Sequence, residues 1–479
     1  MSDSLFVQSD ANDWAEAMFG QCELGDLRRT RRAVDVAARQ ATKPDGSIHQ
    51  ICDGDDAAAE GAYRLLRNSA VKPTALEEGP FEHNAALCKQ APLILAIQDT
   101  TTLVYKHSVA EQLGDLGGGR GFIVHSTLAV NAETQEIIGL LDQQRWSRPA
   151  SKTKKRKRKK KEKKQLPYEQ RESYKWEKAS QRIEKRLDSM EQVIQVVDRE
   201  ADIFEYIKER IANSQRYVIR ASHDRTLATT ESHLWDFMRS RPALGYYEVT
   251  IGQRGAQPAE LGRTARAARP ARIAKMELRT ARNVRLLSPE PRKKRQENSW
   301  IEVNVVYARE IGAAAAKEVL EWMIVTSEPV ASKKLARTVI SYSEQRWLIE
   351  EFHKAWKTGC TVEQRRLQTP SNLERLAVIT AHVAVRLLQL RCLAYCDPER
   401  PCDVLFSQEE WRCLHITTQK SRPLPKTPPS MLWAIQAIAK LGGWRDTKRT
   451  GRIGWLSLWR GWERFQERFV GWQHARQHL

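Results

Sequence analysis

Three acidic residues have the types and sequence contexts that metal-dependent chemistry on phosphate esters requires. Asp99 follows the mostly apolar run LILAIQ, and Asp198 follows the similar run VIQVV, so each is predicted to lie at the end of a short buried strand. Glu350 falls inside a predicted helix over residues 331–358. Either aspartate alone could simply cap a helix. Together, the three carboxylates could hold two Mg²⁺ ions about 3.5–4 Å apart, an arrangement that catalyses in-line displacement at phosphorus.

The same predicted helix carries two basic residues near Glu350. Arg346 precedes the glutamate by four residues and Lys357 follows it by seven, so a regular helix puts all three on one face. Cations on that face would suit a bound phosphate group. A salt bridge within the helix could explain Arg346, but it would not explain Lys357 as well.

The charge of the chain is concentrated in two segments. The 479 residues contain 79 Lys and Arg against 59 Asp and Glu, a net charge of +20. Residues Lys152 to Lys164 carry +10 and residues 254–297 carry +9, which leaves the rest nearly neutral. Such concentrated charge favours a polyanionic partner, most often nucleic acid. The first segment could equally be a solvated loop, whereas the second contains apolar residues and is predicted to be a folded binding face.

Several other classes of protein are excluded by composition. Hydrophobic residues at 41% and charged residues at 29% are typical of folded domains rather than disordered chains. The strongly apolar runs are far shorter than a bilayer span, and MSDSLFVQSD lacks the features of a secretory signal, so a cytosolic protein is expected. The length suggests two to four domains. The eight cysteines match no common zinc pattern and are expected to be reduced.

The elements that must position the three carboxylates can be predicted from the pattern of residues. The chain is expected to begin with helices, one of them capped by Asp26 and stopped by Pro44. The remaining predicted segments, in chain order, are a helix over 57–66, three antiparallel strands after Pro92, a helix over 174–190, a buried strand ending at Asp198, strands over 216–327 and the helix that carries Glu350.

The segment RWLIEEFHKAWKTG at residues 346–359 resembles the signature of bacterial cut-and-paste DDE transposases. The similarity is to the insertion-sequence-four family, which includes the transposon-five transposase. That family's motif is Tyr-x2-Arg-x3-Glu-x6-Lys, and Arg346, Glu350 and Lys357 fit it. The tyrosine position holds Ser343, and the nearest tyrosine is Tyr342, so either side chain could make the family's phosphate contact.

Other segments resemble the same family along essentially the whole chain. AIQDTT and VVDREADI match the motifs around the first two catalytic aspartates, LGDLRRTRR and EGAYRLLRN resemble the end-recognition domain, and residues 437–459 resemble the dimerisation region. Trp322 would pack against a flipped-out base, although it could also be an ordinary core residue. The DNA-contacting residues that the resemblance implies are Arg28, Arg29, Arg31, Arg32, Arg220, Trp322, Tyr342, Ser343, Arg346, Lys354, Lys357 and Arg366.

The resemblance implies an α/β fold with a ribonuclease-H-like catalytic core and a β-rich insertion, flanked by helical N- and C-terminal domains. The implied domains are an end-recognition domain at 1–72, a catalytic domain at 73–396 with its insertion at roughly 215–328, and a dimerisation domain at 397–479.

The function that the resemblance implies is DNA transposition. Asp99, Asp198 and Glu350 would hold two Mg²⁺ ions, for which Mn²⁺ could substitute. The enzyme would cut DNA at the ends of a mobile element, form a hairpin there, and join the freed 3′-OH to target DNA. Its partners would be double-stranded DNA and a second subunit, with no membrane, at the bacterial nucleoid in the cytoplasm. Two alternatives are a simple two-metal nuclease of the same fold and a DNA-binding inhibitor of transposition.

Aromatic residues near the C-terminus recur at helical spacing. Six of them would form one broad stripe on a helix: Trp455, Trp459, Trp462, Phe465, Phe469 and Trp472. The stripe could pack within its own domain. The family resemblance favours instead a contact between two subunits.

Overall fold

The computed structural model describes residues 10–148, 166–230, 232–256, 265, 267–290, 299–312, 319–419, 422–447 and 453–477. The basic run from Lys152 to Lys164 lies outside these residues, as do parts of the basic stretch at 254–297. The predictions for those residues therefore stay predictions.

The first part of the described chain is helical, as predicted, and five helices precede the sheet there. They are α1 (Ala11–Phe19), α2 (Leu27–Thr42), α3 (Ile48–Ile51), α4 (Asp56–Arg67) and α5 (Pro73–Cys88). Asp26 caps α2 by accepting the backbone N–H of Arg28 at 2.9 Å, and the helix ends just before Pro44. Both features of α2 that the sequence predicted are confirmed.

The centre of the molecule is a sheet whose first part has the ribonuclease-H-like arrangement. Its strands are β1 (Ile94–Tyr105), β2 (Gly114–Asp115), β3 (Arg120–Asn131), β4 (Ile137–Trp146), β5 (Val193–Val197) and β6 (Arg216–Arg220). β1, β3 and β4 form the predicted antiparallel meander, β5 and β6 run parallel to β1, and the spatial order is β4-β3-β1-β5-β6. The short β2 pairs with β3. Helices α6 (Lys175–Leu187) and α7 (Phe204–Ala212) precede and follow β5. The predicted fold class is confirmed.

Four further strands extend this sheet. They are β7 (Gly245–Ile251), β8 (Arg272–Leu287), β9 (Trp300–Ile311) and β10 (Glu321–Thr326), after the short α8 (Leu234–Ser240). β10 pairs antiparallel with β6, so core and insertion share one continuous sheet. Within the predicted insertion at 215–328, β6 belongs to the core because it pairs in parallel with β5. The inserted strands therefore follow β6.

The single helix predicted over 331–358 is wrong in detail. It consists of α9 (Lys333–Gln345) and α10 (Trp347–Lys354), which are interrupted at Arg346, followed by a π-helical turn at Ala355–Gly359. In this turn the N–H of Cys360 bonds to the carbonyl of Ala355, five residues earlier. A π-turn adds a residue to the helix and shifts the direction of every later side chain.

The last part of the chain is helical, as predicted. α11 (Pro370–Cys396) crosses the core, followed by α12 (Gln408–Thr418), α13 (Met431–Leu441) and α14 (Trp455–Gln477). α11 is long and apolar enough to span a membrane, but 83% of that apolar window is buried inside the protein, which is typical of a core helix.

The aromatic stripe of α14 packs within its own chain. Phe465 is fully buried and contacts Phe406, Trp462 contacts the same ring, and Trp455 is buried next to α10. Gly442 and Gly461 let α13 and α14 touch backbone to backbone, where a Cβ atom on either would overlap the other helix. The alternative of packing within the same domain is supported for most of the stripe, because α12, α13 and α10 cover it, while Trp462 and Trp472 stay partly exposed and a subunit contact there stays a prediction.

Candidate active site

The sheet brings Asp99 and Asp198 to the same edge. β1 and β5 run parallel, and their last pair is Ile97 opposite Val196. Each aspartate lies two residues beyond that pair on its own strand. The carboxylates are close enough that the charge of Asp198 raises the pKa of Asp99. Strand register alone therefore places the two predicted carboxylates side by side.

The sequence suggested that Asp99 lies at the end of its strand, but the structure places it within β1. β1 continues to Tyr105 because β3 pairs with it along its whole length. Asp99 lies instead where the parallel pairing with β5 stops. Burial, followed by the charge of Asp198, raises the pKa of Asp99 to about 7. Burial also raises the pKa of Asp198, although its carboxylate accepts the N–H of Glu200 at 2.8 Å.

A buried histidine braces the strand on both sides of Asp99. Nδ1 of His125 lies 2.9 Å from Oγ1 of Thr100, and Nε2 lies 3.2 Å from Oε1 of Gln98. Burial lowers the pKa of His125 well below its usual value, so the ring is neutral and can accept one bond and donate the other. Gln98 and Thr100 point to the face opposite Asp99, so this brace fixes the backbone that carries the carboxylate.

Glu350 joins the two aspartates from α10, with Arg346 beside all three. Nη2 of Arg346 donates to Oε1 of Glu350 at 2.6 Å. The charge of Arg346 also lowers the pKa values of Asp99 and Asp198 against the larger effect of burial, and the charge of Glu350 raises that of Asp99. One guanidinium is thus shared among three carboxylates. Lys175 and Arg220 also interact with Asp198, yet burial and repulsion from nearby carboxylates still raise the pKa values of both aspartates.

Arg220 and Trp322 approach the same edge of the sheet. Arg220 ends β6, and burial, with the nearby charges of Arg199 and Arg346, lowers its pKa to about 10. Trp322 lies on β10, two residues from Ile324, which is paired with Arg220. Its ring is only partly buried and packs against the main core. Arg220 is therefore near Asp198, and Trp322 lies on the adjacent strand, where it also serves as a core residue.

The three other predicted basic residues near Glu350 have different surroundings. Lys357 lies in the π-turn, with Nζ 3.8 Å from Oε1 of Glu363, and its charge lowers the pKa of His353. Lys354 is exposed and pairs with Glu351 at 3.3 Å, and Arg366 is exposed. Arg346 and Glu350 share a face as expected, as their 2.6 Å bond shows, whereas Lys357 lies beyond the end of α10 in the π-turn, beside Glu363.

The structure distinguishes the two candidates for the tyrosine position. Tyr342 is buried, and its pKa is raised by burial and then by Glu328. The charge of Glu133 also raises the pKa of Tyr342. Glu133 follows the end of β3, which lies opposite the start of β1 and away from Asp99. Ser343 lies seven residues before Glu350, about two helical turns away, and is half-buried. Ser343 is therefore the more accessible of the two, and which side chain makes the phosphate contact stays a prediction.

The four arginines predicted on α2 divide into two pairs. Arg28 and Arg31 are exposed, and Arg28 pairs with the capping carboxylate of Asp26. Arg29 donates to the carbonyl of Leu24 at 2.9 Å, and Arg32 pairs with Asp35. Only the first pair projects into solvent, and the second pair is engaged within the domain.

The described part of the second basic segment is folded, as predicted. β8 alternates buried apolar residues such as Met276 and Leu286 with exposed basic residues such as Lys275, Arg282 and Arg285. Arg285 also lies over the ring of Trp300, 4.4 Å from its centroid. This strand therefore presents a basic outer face.

Three residues at the site were missed by the sequence reading. Nδ1 of His353 lies 3.6 Å from Oδ2 of Asp99, and burial lowers the pKa of this histidine to about 3. The charge of Lys175, at the start of α6, lowers the pKa of Asp198, and Arg199 lies next to Arg220. The sequence could have indicated His353, because this residue lies one helical turn after Glu350. It could not have indicated Lys175, because this residue is distant in sequence from both aspartates.

The donor set suits a hard divalent cation, although the side chains are not gathered around one point. Within the described ranges, no group of three His, Cys, Asp or Glu side chains is close enough to hold a metal ion. Carboxylate oxygens are the ligands that Mg²⁺ and Mn²⁺ prefer. A bound dication would also offset the repulsion between carboxylates that raises the pKa of Asp99. Release of Glu350 from Arg346 would free its oxygens. The carboxylates of Asp99, Asp198 and Glu350 are therefore chemically suited to bind Mg²⁺ or Mn²⁺.

Two family models match the two ends of the chain. Residues 11–71 match a model described as transposase DNA-binding, and residues 382–478 match a model described as Tn5 transposase dimerisation domain. The first match covers α1 to α4, and the second runs from within α11 to the end of α14. Two domains of the same kind of protein in the expected order support a Tn5-like transposase.

One solved structure is similar to the whole chain at a low level. It is a cryo-EM structure of the piggyBac transposase synaptic complex with hairpin DNA, with 8% sequence identity and a TM-score of 0.39. The similarity covers 80% of this chain and 76% of the other. A likeness this low carries no argument about function.

Proposed function

We propose that this protein is a DNA transposase that cuts the ends of a mobile element and joins them to target DNA. The observation that carries the proposal is the cluster of Asp99, Asp198 and Glu350 around Arg346, in a chain whose two ends match transposase models. Membership of the insertion-sequence-four family, hairpin formation at the ends and a bacterial nucleoid location are the finer parts of the proposal.

The carboxylates of Asp99, Asp198 and Glu350 would hold Mg²⁺. When bound, the metal supplies Lewis acidity that stabilises the charge on the attacking and leaving oxygens at phosphorus. The protein contributes the fixed positions of the ligands, since β1 and β5 hold the two aspartates in register and His125 braces β1. Fixed ligands reduce the reorganisation that each successive displacement would need.

Arg346 and Arg220 would bind the phosphates of the DNA strand at the site. Arg346 already neutralises part of the cluster, so entry of a divalent cation would free its guanidinium for a phosphate oxygen. Arg220 is half-buried beside it and is held in place by the carbonyl of Glu321 at 3.4 Å. Trp322, at the same edge, could stack on an unpaired base, an interaction worth about 1–3 kcal/mol.

DNA recognition would use the exposed basic residues outside the site. Arg28 and Arg31 on α2 would contact the element's ends, and the basic face of β8 would contact the phosphate backbone farther along the duplex. An element has two ends, so a homodimer would supply one site for each. The match of residues 382–478 to a dimerisation domain supports that assembly.

The test is cleavage of a duplex that carries the inverted repeat flanking the reading frame. The wild-type protein should cut the duplex at the repeat in Mg²⁺ and stop when the metal is chelated. Binding without any cutting in Mg²⁺ or Mn²⁺ would contradict the transposase proposal and favour an inhibitor. Cutting without joining to a second duplex would favour a simple nuclease.

A further inference from the structure

Glu351, the neighbour of Glu350, accepts hydrogen bonds from residues far apart in the sequence. Its Oε2 accepts Nη1 of Arg391 at 2.5 Å and Nε1 of Trp455 at 2.8 Å. Its Oε1 accepts Nε1 of Trp347 at 3.3 Å, within α10. The guanidinium of Arg391 also lies over the ring of Trp455, 4.4 Å from its centroid. One carboxylate therefore joins α10, α11 and α14.

The short helix that carries Glu350 depends on such contacts for its orientation. α10 has eight residues, with an interruption before it at Arg346 and a π-turn after it at Ala355–Gly359. Helical continuity does not fix its rotation firmly on either side, because both junctions depart from regular α-helical hydrogen bonding. Its rotation is set by what its side chains touch, and a turn of α10 would move Glu350 relative to Asp99.

The two donors from outside α10 both lie in the segment that matches the dimerisation model. Arg391 and Trp455 fall within residues 382–478, whereas Glu351 lies before them. The contact therefore crosses from the catalytic helix to the region that would respond to pairing of subunits. Glu350 takes no part in this contact, because its own hydrogen bond is to Arg346 on the other side of α10.

We propose that Glu351 is a positioning residue through which the C-terminal helix α14 sets the orientation of Glu350. The side chain does not touch substrate or metal. It holds α10 at one rotation, so that a shift of α14 on pairing of subunits is transmitted to the catalytic carboxylate. This coupling rests on the proposed transposase function, but the mechanical link from α14 to α10 can be measured without it.

The structure supplies a matched pair of variants for that measurement. Trp455→Phe removes the indole N–H that bonds to Glu351. Trp459→Phe makes the same change one turn later on α14, where the ring is equally buried and the indole nitrogen has no hydrogen-bond partner among the described residues. Any general effect of losing an indole should appear equally in both variants.

The first readout is hydrogen–deuterium exchange of the full-length protein without DNA. Trp455→Phe should speed exchange in peptides covering residues 347–356 by about fivefold, and Trp459→Phe should leave those peptides at the wild-type rate. Equal exchange in the two variants would overturn the link between α14 and α10, whether or not the protein is a transposase.

The second readout is single-turnover cleavage of the repeat-bearing duplex at saturating protein. Trp455→Phe should lower the rate about tenfold, with unchanged DNA affinity and unchanged yield of paired complexes, because a small misplacement of a catalytic group is costly. Trp459→Phe should cleave as the wild type does. Faster exchange with a wild-type cleavage rate would overturn the positioning role. Absence of cleavage by the wild-type protein would instead contradict the proposed function, and the exchange result would still decide the link.

Discussion

The carboxylates on the two sides of α10 have different surroundings. On the side facing the sheet, Glu350 has one bond to Arg346 and shares that cation with two aspartates whose pKa values are raised. On the side facing α11 and α14, Glu351 has several donors, of which Arg391 acts most strongly, and they lower its pKa to about 2 despite burial. The nearby cations therefore do not offset burial at the two aspartates, whereas they more than offset it at Glu351.

This difference distinguishes a binding site from a structural contact. Buried acids that are compensated within the protein contribute to the fold, and removing them leaves cations unpaired. Buried acids that are left with excess negative charge are maintained at a cost in stability, which is typical of groups that bind something positive. This contrast supports the proposal that the sheet side of α10 binds the metal, with the helical side as its support.

The largest effect on DNA cleavage is expected from the carboxylates on the side of α10 that faces the sheet. Replacing Asp99, Asp198 or Glu350 with Ala should lower the rate of DNA cleavage by about a thousandfold or more, because each change would remove a proposed metal ligand. End binding, measured by gel shift, should remain nearly unchanged. Normal cleavage by Glu350→Ala would contradict the assignment, and so would loss of binding in all three variants.

A stability comparison between the two glutamates should show the reverse order. Glu351→Ala should destabilise the protein by about 2–4 kcal/mol, because it leaves the buried guanidinium of Arg391 unpaired. Glu350→Ala should cost less than about 1 kcal/mol, since Arg346 keeps two other carboxylates. Chemical denaturation of both variants would measure this, and equal destabilisation would remove the distinction between the two sides of α10.

The outward basic face of β8 should affect affinity rather than chemistry. Lys275→Gln combined with Arg282→Gln should weaken DNA binding and reduce the slope of log K against log salt by about 2, roughly one per lost phosphate contact. Lys208→Gln, on exposed α7, is the control. An unchanged slope would show that β8 does not contact DNA.

The smallest expected effect is a gain in stability from neutralising Asp99. Its pKa in the folded protein is about 7, above the unfolded value, so its ionisation destabilises the metal-free fold as pH rises from about 4 to above 7. Asp99→Asn should therefore raise the unfolding free energy at pH 8 by about 1 kcal/mol and have less effect at pH 5. A loss of stability at pH 8 would mean that the charge is compensated.

The sequence predicted the fold class and the residues of the site better than their detailed geometry. The position of Asp198 after a buried strand, the cap at Asp26 and the helical C-terminus follow from local patterns, and the structure has them. The π-turn after Lys354 left no signal, because residues in such a turn look like any other helical residues. The sequence also could not decide between Tyr342 and Ser343, because spacing alone does not show which side chain is buried.

The aromatic stripe of α14 shows a different limit. Its spacing correctly predicted a one-sided helix, but spacing does not identify what covers the apolar side. From the sequence alone, the double variant Trp459→Glu and Trp462→Glu would be chosen to test pairing of subunits. In the structure it should instead disrupt the packing of α14 on α12 and α13, so loss of pairing in that variant would not locate the contact between subunits.

The most direct test of the central claim is Mn²⁺ binding to the protein in complex with repeat-bearing DNA, followed by electron paramagnetic resonance. The wild-type complex should bind two Mn²⁺ ions per catalytic site, and Asp99→Asn should lose at least one of them while still binding DNA. Equal Mn²⁺ binding by the wild type and Asp99→Asn, or none by the wild type, would contradict the assignment of Asp99, Asp198 and Glu350 as the metal ligands.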